Sequence, residues 1–169
     1  LAWGFYGLRL NAYRAVKPHQ GFHLLKKWSE TLPNLKNGAF VFTSNVDGEF
    51  QKIGFEDDQV FECHGSIHWL QCLDNCTQDI WSAEKFEPVV DEEYCQLIND
   101  FPTCPHCGGM ARPNILMFSD WHWQLQMQDE KEQKLIAWLK QVKNLAIVEL
   151  GAGMALPSVR NFSERLIAY

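Results

Sequence analysis

The chain has 169 residues, with 15 Lys+Arg against 21 Asp+Glu and a net charge of −6. Apolar residues make up 46% and charged residues 21%, which excludes a disordered chain and leaves room for one domain, or one domain with a small insert. The acidic balance argues against direct nucleic-acid contact, and the lack of a long apolar run argues against a membrane span.

Residues 1–16 carry Trp3, Tyr6, Leu10 and Tyr13 three or four apart, which predicts an amphipathic helix. A second helix is expected over Gly21–Glu30, with Phe22, Leu25 and Trp28 on it. Pro33, Asn34, Asn37 and Gly38 mark a turn. Ala39–Thr43 (AFVFT) is nearly all apolar and suits a strand buried on both faces. From Ile67 to Arg112 the composition changes. The segment reads as an inserted module with a short helix near Asp91–Ile98. Asn114–Phe118 reads as a strand, Gln124–Val142 as a helix, and Leu145–Leu150 (LAIVEL) as another buried strand. Pro157–Ala168 completes the series as a helix. Strands alternating with helices predict an α/β fold with a Rossmann-like parallel sheet. The expected division is a helical small-domain part over 1–25, Rossmann-like parts over 26–66 and 113–169, and a metal-binding module over 67–112.

Six cysteines occur, and four form the close pairs Cys72-x3-Cys76 and Cys104-x2-Cys107. Four thiolates so spaced suit tetrahedral zinc, and a closed four-sulfur shell makes the metal structural. In Cys104-Pro105-His106-Cys107-Gly108-Gly109, the glycines let backbone amides turn towards sulfur. His106 is the alternative fourth ligand. Cys63 and Cys95 read as buried apolar residues. Such a site belongs in a reducing compartment, and a cytoplasmic location is expected.

Three polar segments follow apolar runs: Thr43-Ser44-Asn45-Val46-Asp47, His64-Gly65-Ser66 and Gly151-Ala152-Gly153. In an open α/β sheet, ligands bind outside the carboxyl ends of the strands. Separately, each segment also reads as an ordinary turn.

Their order resembles the sirtuin family of NAD-dependent protein-lysine deacylases. Thr43–Gly48 resembles the family's Thr-Gln-Asn-Ile/Val-Asp motif, and Glu62-Cys63-His64-Gly65-Ser66 its catalytic His-Gly. The cysteine pairs follow at the family's place. Arg112-Pro113-Asn114-Ile115-Leu116-Met117-Phe118 is similar to its Arg-Pro-x-Val-Val-x-Phe segment, and Val148–Gly153 stands where its late Gly-Thr-Ser turn stands. Ser44 replaces Gln, Asn114 replaces Asp, Ser119-Asp120 replaces Gly-Glu and Ala152-Gly153 replaces Thr-Ser. The family's opening strand and Gly-Ala-Gly-x-Ser turn have no match in the sequence, so the resemblance covers the middle and late part of a sirtuin.

The resemblance implies NAD and Zn²⁺ as cofactors and an acylated-lysine protein or peptide as partner. It makes His64 the catalytic base, with Asn45 and Asp47 catalytic beside it. It assigns Thr43, Ser44, Asn45, Asp47, His64, Gly151, Ala152 and Gly153 to the dinucleotide, and Cys72, Cys76, Cys104 and Cys107 to zinc. Tyr6-x-x-Arg9 resembles the pair by which some sirtuins bind succinyl- or malonyl-lysine, and i, i+3 residues share a helix face. A sirtuin-type NAD hydrolase and a catalytically inactive zinc-ribbon binding module are the alternative readings.

Overall fold

The computed structural model describes residues 2–31 and 38–168. The turn expected at Pro33, Asn34 and Asn37 lies outside the described residues. The elements in chain order are α1 (Ala2–Ala15), α2 (Gln20–Thr31), β1 (Val41–Thr43), α3 (Glu49–Lys52), a 3₁₀ turn (Asp57–Gln59), β2 (Val60–Glu62), β3 (Gly65–Cys72), β4 (Ile80–Ser82), β5 (Val90–Asp91), β6 (Gln96–Leu97), β7 (Ala111–Ile115), α4 (Gln126–Leu139) and α5 (Ser158–Ile167).

Two sheets position the site. β1 and β2 pair in parallel, with Val41 opposite Val60 and Thr43 opposite Glu62, and α3 lies in the connection. β3 is the centre of an antiparallel sheet of order β4-β3-β7. The parallel pair is the Rossmann-like part, and the antiparallel sheet carries the inserted module.

The main core lies between α1 and the module. Trp3 and Leu10 of α1 meet Ile67 and Leu70 of β3, Ala83, Leu97 of β6, and Ala111 and Ile115 of β7. Burial of this apolar surface fixes α1, and directed hydrogen bonds set its register. Trp3 Nε1 donates to the Ala111 carbonyl at 2.9 Å, Asn11 to the Pro88 carbonyl at 2.8 Å, and Arg14 to the carbonyls of Phe86 and Ala83 at 2.7 and 2.6 Å. The Lys52 ammonium donates to the carbonyls of Tyr13 and Val16 at the helix C-terminus, where a cation also complements the helix dipole.

Three expectations are corrected. Asp91–Ile98 is not a helix: it spans the antiparallel pair β5-β6, with Val90 opposite Leu97 and Cys95 at φ 50° in the turn. Asp-Glu-Glu before Leu and Ile imitates a helix start, but packing of the turn on α1 selects the hairpin. The strand expected at Asn114–Phe118 runs instead from Ala111 to Ile115. It pairs antiparallel with β3 and does not enter the parallel sheet. Leu145–Leu150 is irregular and largely exposed rather than a buried strand, with Val148 63% and Leu150 66% accessible. A buried strand needs a ladder on its flanks, and this run forms none with a described residue.

Gly4 marks the closest approach of α1 to the hairpin. A methyl group there would collide with the Cys95 carbonyl. Gly4→Ala is expected to lower stability by about 1–3 kcal/mol, read from urea unfolding, because backbone cannot yield as a side chain can.

Candidate functional site

β1 ends at Thr43, and its ladder with β2 continues past both strands. Cys63 N donates to the Thr43 carbonyl at 2.8 Å, and Ile67 N to the Val46 carbonyl at 3.0 Å. Ser44–Asp47 therefore runs beside Cys63–His68. Gly65 sits between the two sheets at φ 80°, and a methyl group there would collide with the Asn114 carbonyl. Only glycine combines this backbone turn with so close an approach. The turn sets His64 at the exit of the parallel pair, and its carbonyl is tied to Leu116 N at 2.9 Å.

His64 opens on a cavity of about 780 Å³ whose lining includes Phe42, Phe61, Cys63, Ser158 and Phe162. Its Nε2 lies 3.0 Å from Ser158 Oγ at the start of α5. Burial lowers its pKa below the ordinary histidine value, while the Ser44 backbone acts against that shift. The imidazole is thus largely neutral at pH 7 and can accept a proton. Burial likewise raises the neighbouring Cys63 thiol to about 11.

The sequence-predicted residues fall into groups. Thr43, Ser44, Asn45, Asp47 and His64 come together. Asn45 N is held by Thr43 Oγ1 at 3.1 Å, while its side chain is free towards solvent. Asp47 Oδ1 accepts from Glu49 N at 3.0 Å, and the Asp47 carbonyl faces His68 Nε2 at 2.9 Å. Gly151-Ala152-Gly153 precedes α5 at the surface, with the Ala152 carbonyl accepting from Arg160 at 3.1 Å. This turn reaches His64 only through α5. Tyr6 and Arg9 lie elsewhere. Half-buried Tyr6 senses Arg112 and Asp120, whereas exposed Arg9 lies over the Phe5 ring at 4.9 Å.

The four cysteines converge, their sulfurs all within 4.8 Å of one another. Cys72 Sγ is 3.8 Å from Cys107 Sγ, and Cys76 Sγ is 3.5 Å from Cys104 Sγ. A tetrahedron of 2.3 Å Zn–S bonds has edges of about 3.8 Å, so the donor set fits zinc. His106 N and Gly109 N point at Cys104 Sγ and Cys107 Sγ, each at 3.4 Å, as the knuckle sequence predicts. The His106 ring pairs with Asp79 at 2.8 Å and stands outside the cluster. Cys63 and Cys95 are also outside it, half-buried rather than fully buried.

Sequence reasoning missed Ser158, 94 residues from His64, for which only its place after Pro157 offered a signal. It also missed two polar ties on the loop after β7. Arg112 grips the Asp120 carboxylate with both terminal nitrogens. Burial would raise Asp120, but the guanidinium more than offsets it and holds the carboxyl below its ordinary range. Fully buried Asn114 donates to Gln71 Oε1 at 2.9 Å and to the Gln124 carbonyl at 3.0 Å. Gln71 donates to the His122 carbonyl at 2.7 Å, and Gln124 Nε2 to Asn75 Oδ1, inside the first knuckle, at 2.9 Å.

Two predictions follow from these groups. The chain is expected to bind one zinc, and chelation should lower the melting temperature and unfold the β4-β3-β7 sheet first. Metal analysis with far-UV circular dichroism checks this, and an unchanged melt would contradict it. The second concerns Glu62, buried in β2 with Oε1 unpartnered. Burial raises its carboxyl from about 4.5 to about 7, against the pull of Lys131 and Gln51. The folded chain then holds this proton more tightly than the unfolded one. The stability it contributes is complete below about pH 4.5 and is lost as pH rises through about 7. Glu62→Gln should remove that loss, gaining up to about 3 kcal/mol over the parent at pH 8 relative to pH 4, read from urea unfolding at both.

The model of the Sir2 family matches residues 2–148. A probable bifunctional ADP-ribose hydrolase/ADP-ribosyltransferase of Fusarium oxysporum f. sp. cubense is 34% identical over 168 residues, covering 93% of this chain and 27% of that protein. An NAD-dependent protein deacetylase of Halalkalibacterium halodurans is 30% identical over 116 residues, covering 69% of this chain and 40% of that protein. A solved structure of Sir2Tm bound to a propionylated peptide aligns with a TM-score of 0.47 at 21% identity, covering 75% of this chain and 46% of that one. The chain thus spans less than half the length of each of these proteins. With the family's model matched over most of its residues, the chain belongs to the Sir2 family.

Proposed function

We propose that this chain carries the base-bearing and zinc-bearing parts of an NAD-dependent protein-lysine deacylase, acting on an acylated-lysine protein or peptide. The observation that supports it is the His64 imidazole at the exit of the parallel pair, opening on the cavity lined by Phe42, Phe61, Ser158 and Phe162, with burial holding its pKa below the ordinary histidine value. NAD would supply an electrophilic ribose carbon and nicotinamide as leaving group. The short polar run Ser44-Asn45 and the Asp47 backbone suit hydroxyl and amide groups at the ribose end, and His64 would accept a hydroxyl proton there. The Gly151-Ala152-Gly153 turn leaves open backbone that would suit the far end of the nucleotide. The four cysteines would brace the module that carries α1 and bind no substrate.

In this reading Arg9, exposed on α1, takes a carboxylate at the end of an acyl group, and Tyr6 lines the approach. A cytoplasmic location belongs to the same reading, supported by six free thiols, four of them in the metal cluster.

A second reading, transfer of ADP-ribose to a protein side chain, draws on the Fusarium relative. That match runs over 168 residues, whereas the deacetylase match covers 116. The experiment is mass spectrometry of products with NAD and acetyl- or succinyl-lysine peptides, using the full-length protein. Deacylation that ceases in His64→Ala, with zinc retained, is expected. Full activity of that variant would remove the base assignment, and ADP-ribosylated protein formed without any acyl-peptide would favour the second reading.

A further inference from the structure

We propose that Ser158 is a positioning residue for His64: its hydroxyl, presented by the first residue of α5, holds the imidazole in the neutral tautomer whose Nε2 carries the lone pair. The inference rests on the base role proposed above for His64.

Two partners hold the ring. The Ser44 backbone favours a proton on the ring, and with Nε2 taken up by Ser158 we assign that proton to Nδ1. Nε2, 3.0 Å from Ser158 Oγ, is left as the acceptor, and the hydroxyl donates to it. One neutral tautomer satisfies both contacts. A protonated ring would turn Nε2 into a donor and force the hydroxyl to rotate away. A general base needs this arrangement: a neutral ring, oriented, with its lone pair towards the cavity. A substrate hydroxyl that takes the place of Ser158 Oγ meets the lone pair already aimed.

The helix that brings Ser158 is itself fixed to the strand beside His64. Phe162 stacks on Phe42 of β1 with ring centroids 4.0 Å apart and planes 4° apart. Ser158 therefore keeps its station relative to the parallel pair without relying on the hydrogen bond alone. The titratable and charged groups lining the same cavity are Cys63 beside the ring, Glu132 of α4, and Glu164 and Arg165 of α5. Cys63 is an uncharged thiol at neutral pH, with its pKa near 11.

The test is the nitrogen-15 NMR spectrum and pH titration of the His64 imidazole in the full 169-residue chain, for the parent, Ser158→Ala and Ser158→Thr. Ser158→Ala is expected to give a mixture of tautomers and to raise the titration midpoint by about 0.7 pH unit, the equivalent of one neutral hydrogen bond. Ser158→Thr keeps a hydroxyl and should restore the parent tautomer and midpoint. In the deacylation assay, Ser158→Ala should lower kcat about tenfold with KM nearly unchanged, and its acid limb should move up in pH. An Ala variant with the parent's tautomer and midpoint overturns the proposal, as does a Thr variant that behaves like Ala. The imidazole signals report on Ser158 whether or not an acyl-peptide is turned over, so this inference and the deacylase reading fail separately.

Discussion

Between Glu62 and Gly65 the chain leaves a parallel pair and enters an antiparallel sheet. That change of direction depends on Gly65, at φ 80° and pressed against the Asn114 carbonyl. A side chain at this position would separate β3 from β7 and displace the preceding imidazole with them. The location of His64 is thus a result of where two sheets meet. Its ring faces groups from both ends of the chain's long excursion: the Ser44 backbone before the module and Ser158 after it.

The module is held by α1 more than by its own short strands. β5 and β6 contribute two residues each and could not persist as an isolated hairpin in water. They are ordered because Trp3, Gly4, Gly7 and Leu10 present one buried face to them. Arg14 and Asn11 then satisfy carbonyls that the irregular segment 83–88 leaves without ladder partners. The metal knuckles close the opposite end of the same sheet. An element near the start of the sequence and a sulfur cluster that begins 57 residues after it therefore stabilise one small domain.

The four long helices were legible because their signals are local. The spacing of Trp3, Tyr6, Leu10 and Tyr13 marks α1, and α2, α4 and α5 are found within a few residues of the expected limits. The zinc cluster was legible because close cysteine pairs have few other uses. The motif order sets positions 43–47 and 64 beside one another, and the structure places them so. What sequence could not convey is pairing. The run at 145–150 is as apolar as β1 yet finds no ladder among the described residues. β7 pairs with β3 from Cys72 opposite Ala111 to Gly65 opposite Ile115, in a sense that no local pattern encodes. Ser158 is an ordinary helix-start serine until the stacking of Phe162 on Phe42 brings it over the ring.

The amides of buried Gln71 and Asn114 and of half-buried Gln124 form a seam from the first knuckle to the start of α4, with Gln128 adding a longer contact to Asn114 at 3.4 Å. Gln71 and Asn114 each use both the amide oxygen and the nitrogen on another member or on backbone, whereas Gln128 Oε1 is buried without a partner. A change to one strands its neighbours in a place where water cannot compensate. Divergent relatives that alter this seam would therefore be expected to do so in concert, exchanging Gln71, Asn114 and Gln124 as a set. The seam would then leave a correlated trace in evolution that neither the cysteines nor the imidazole, each constrained by its own chemistry, would show.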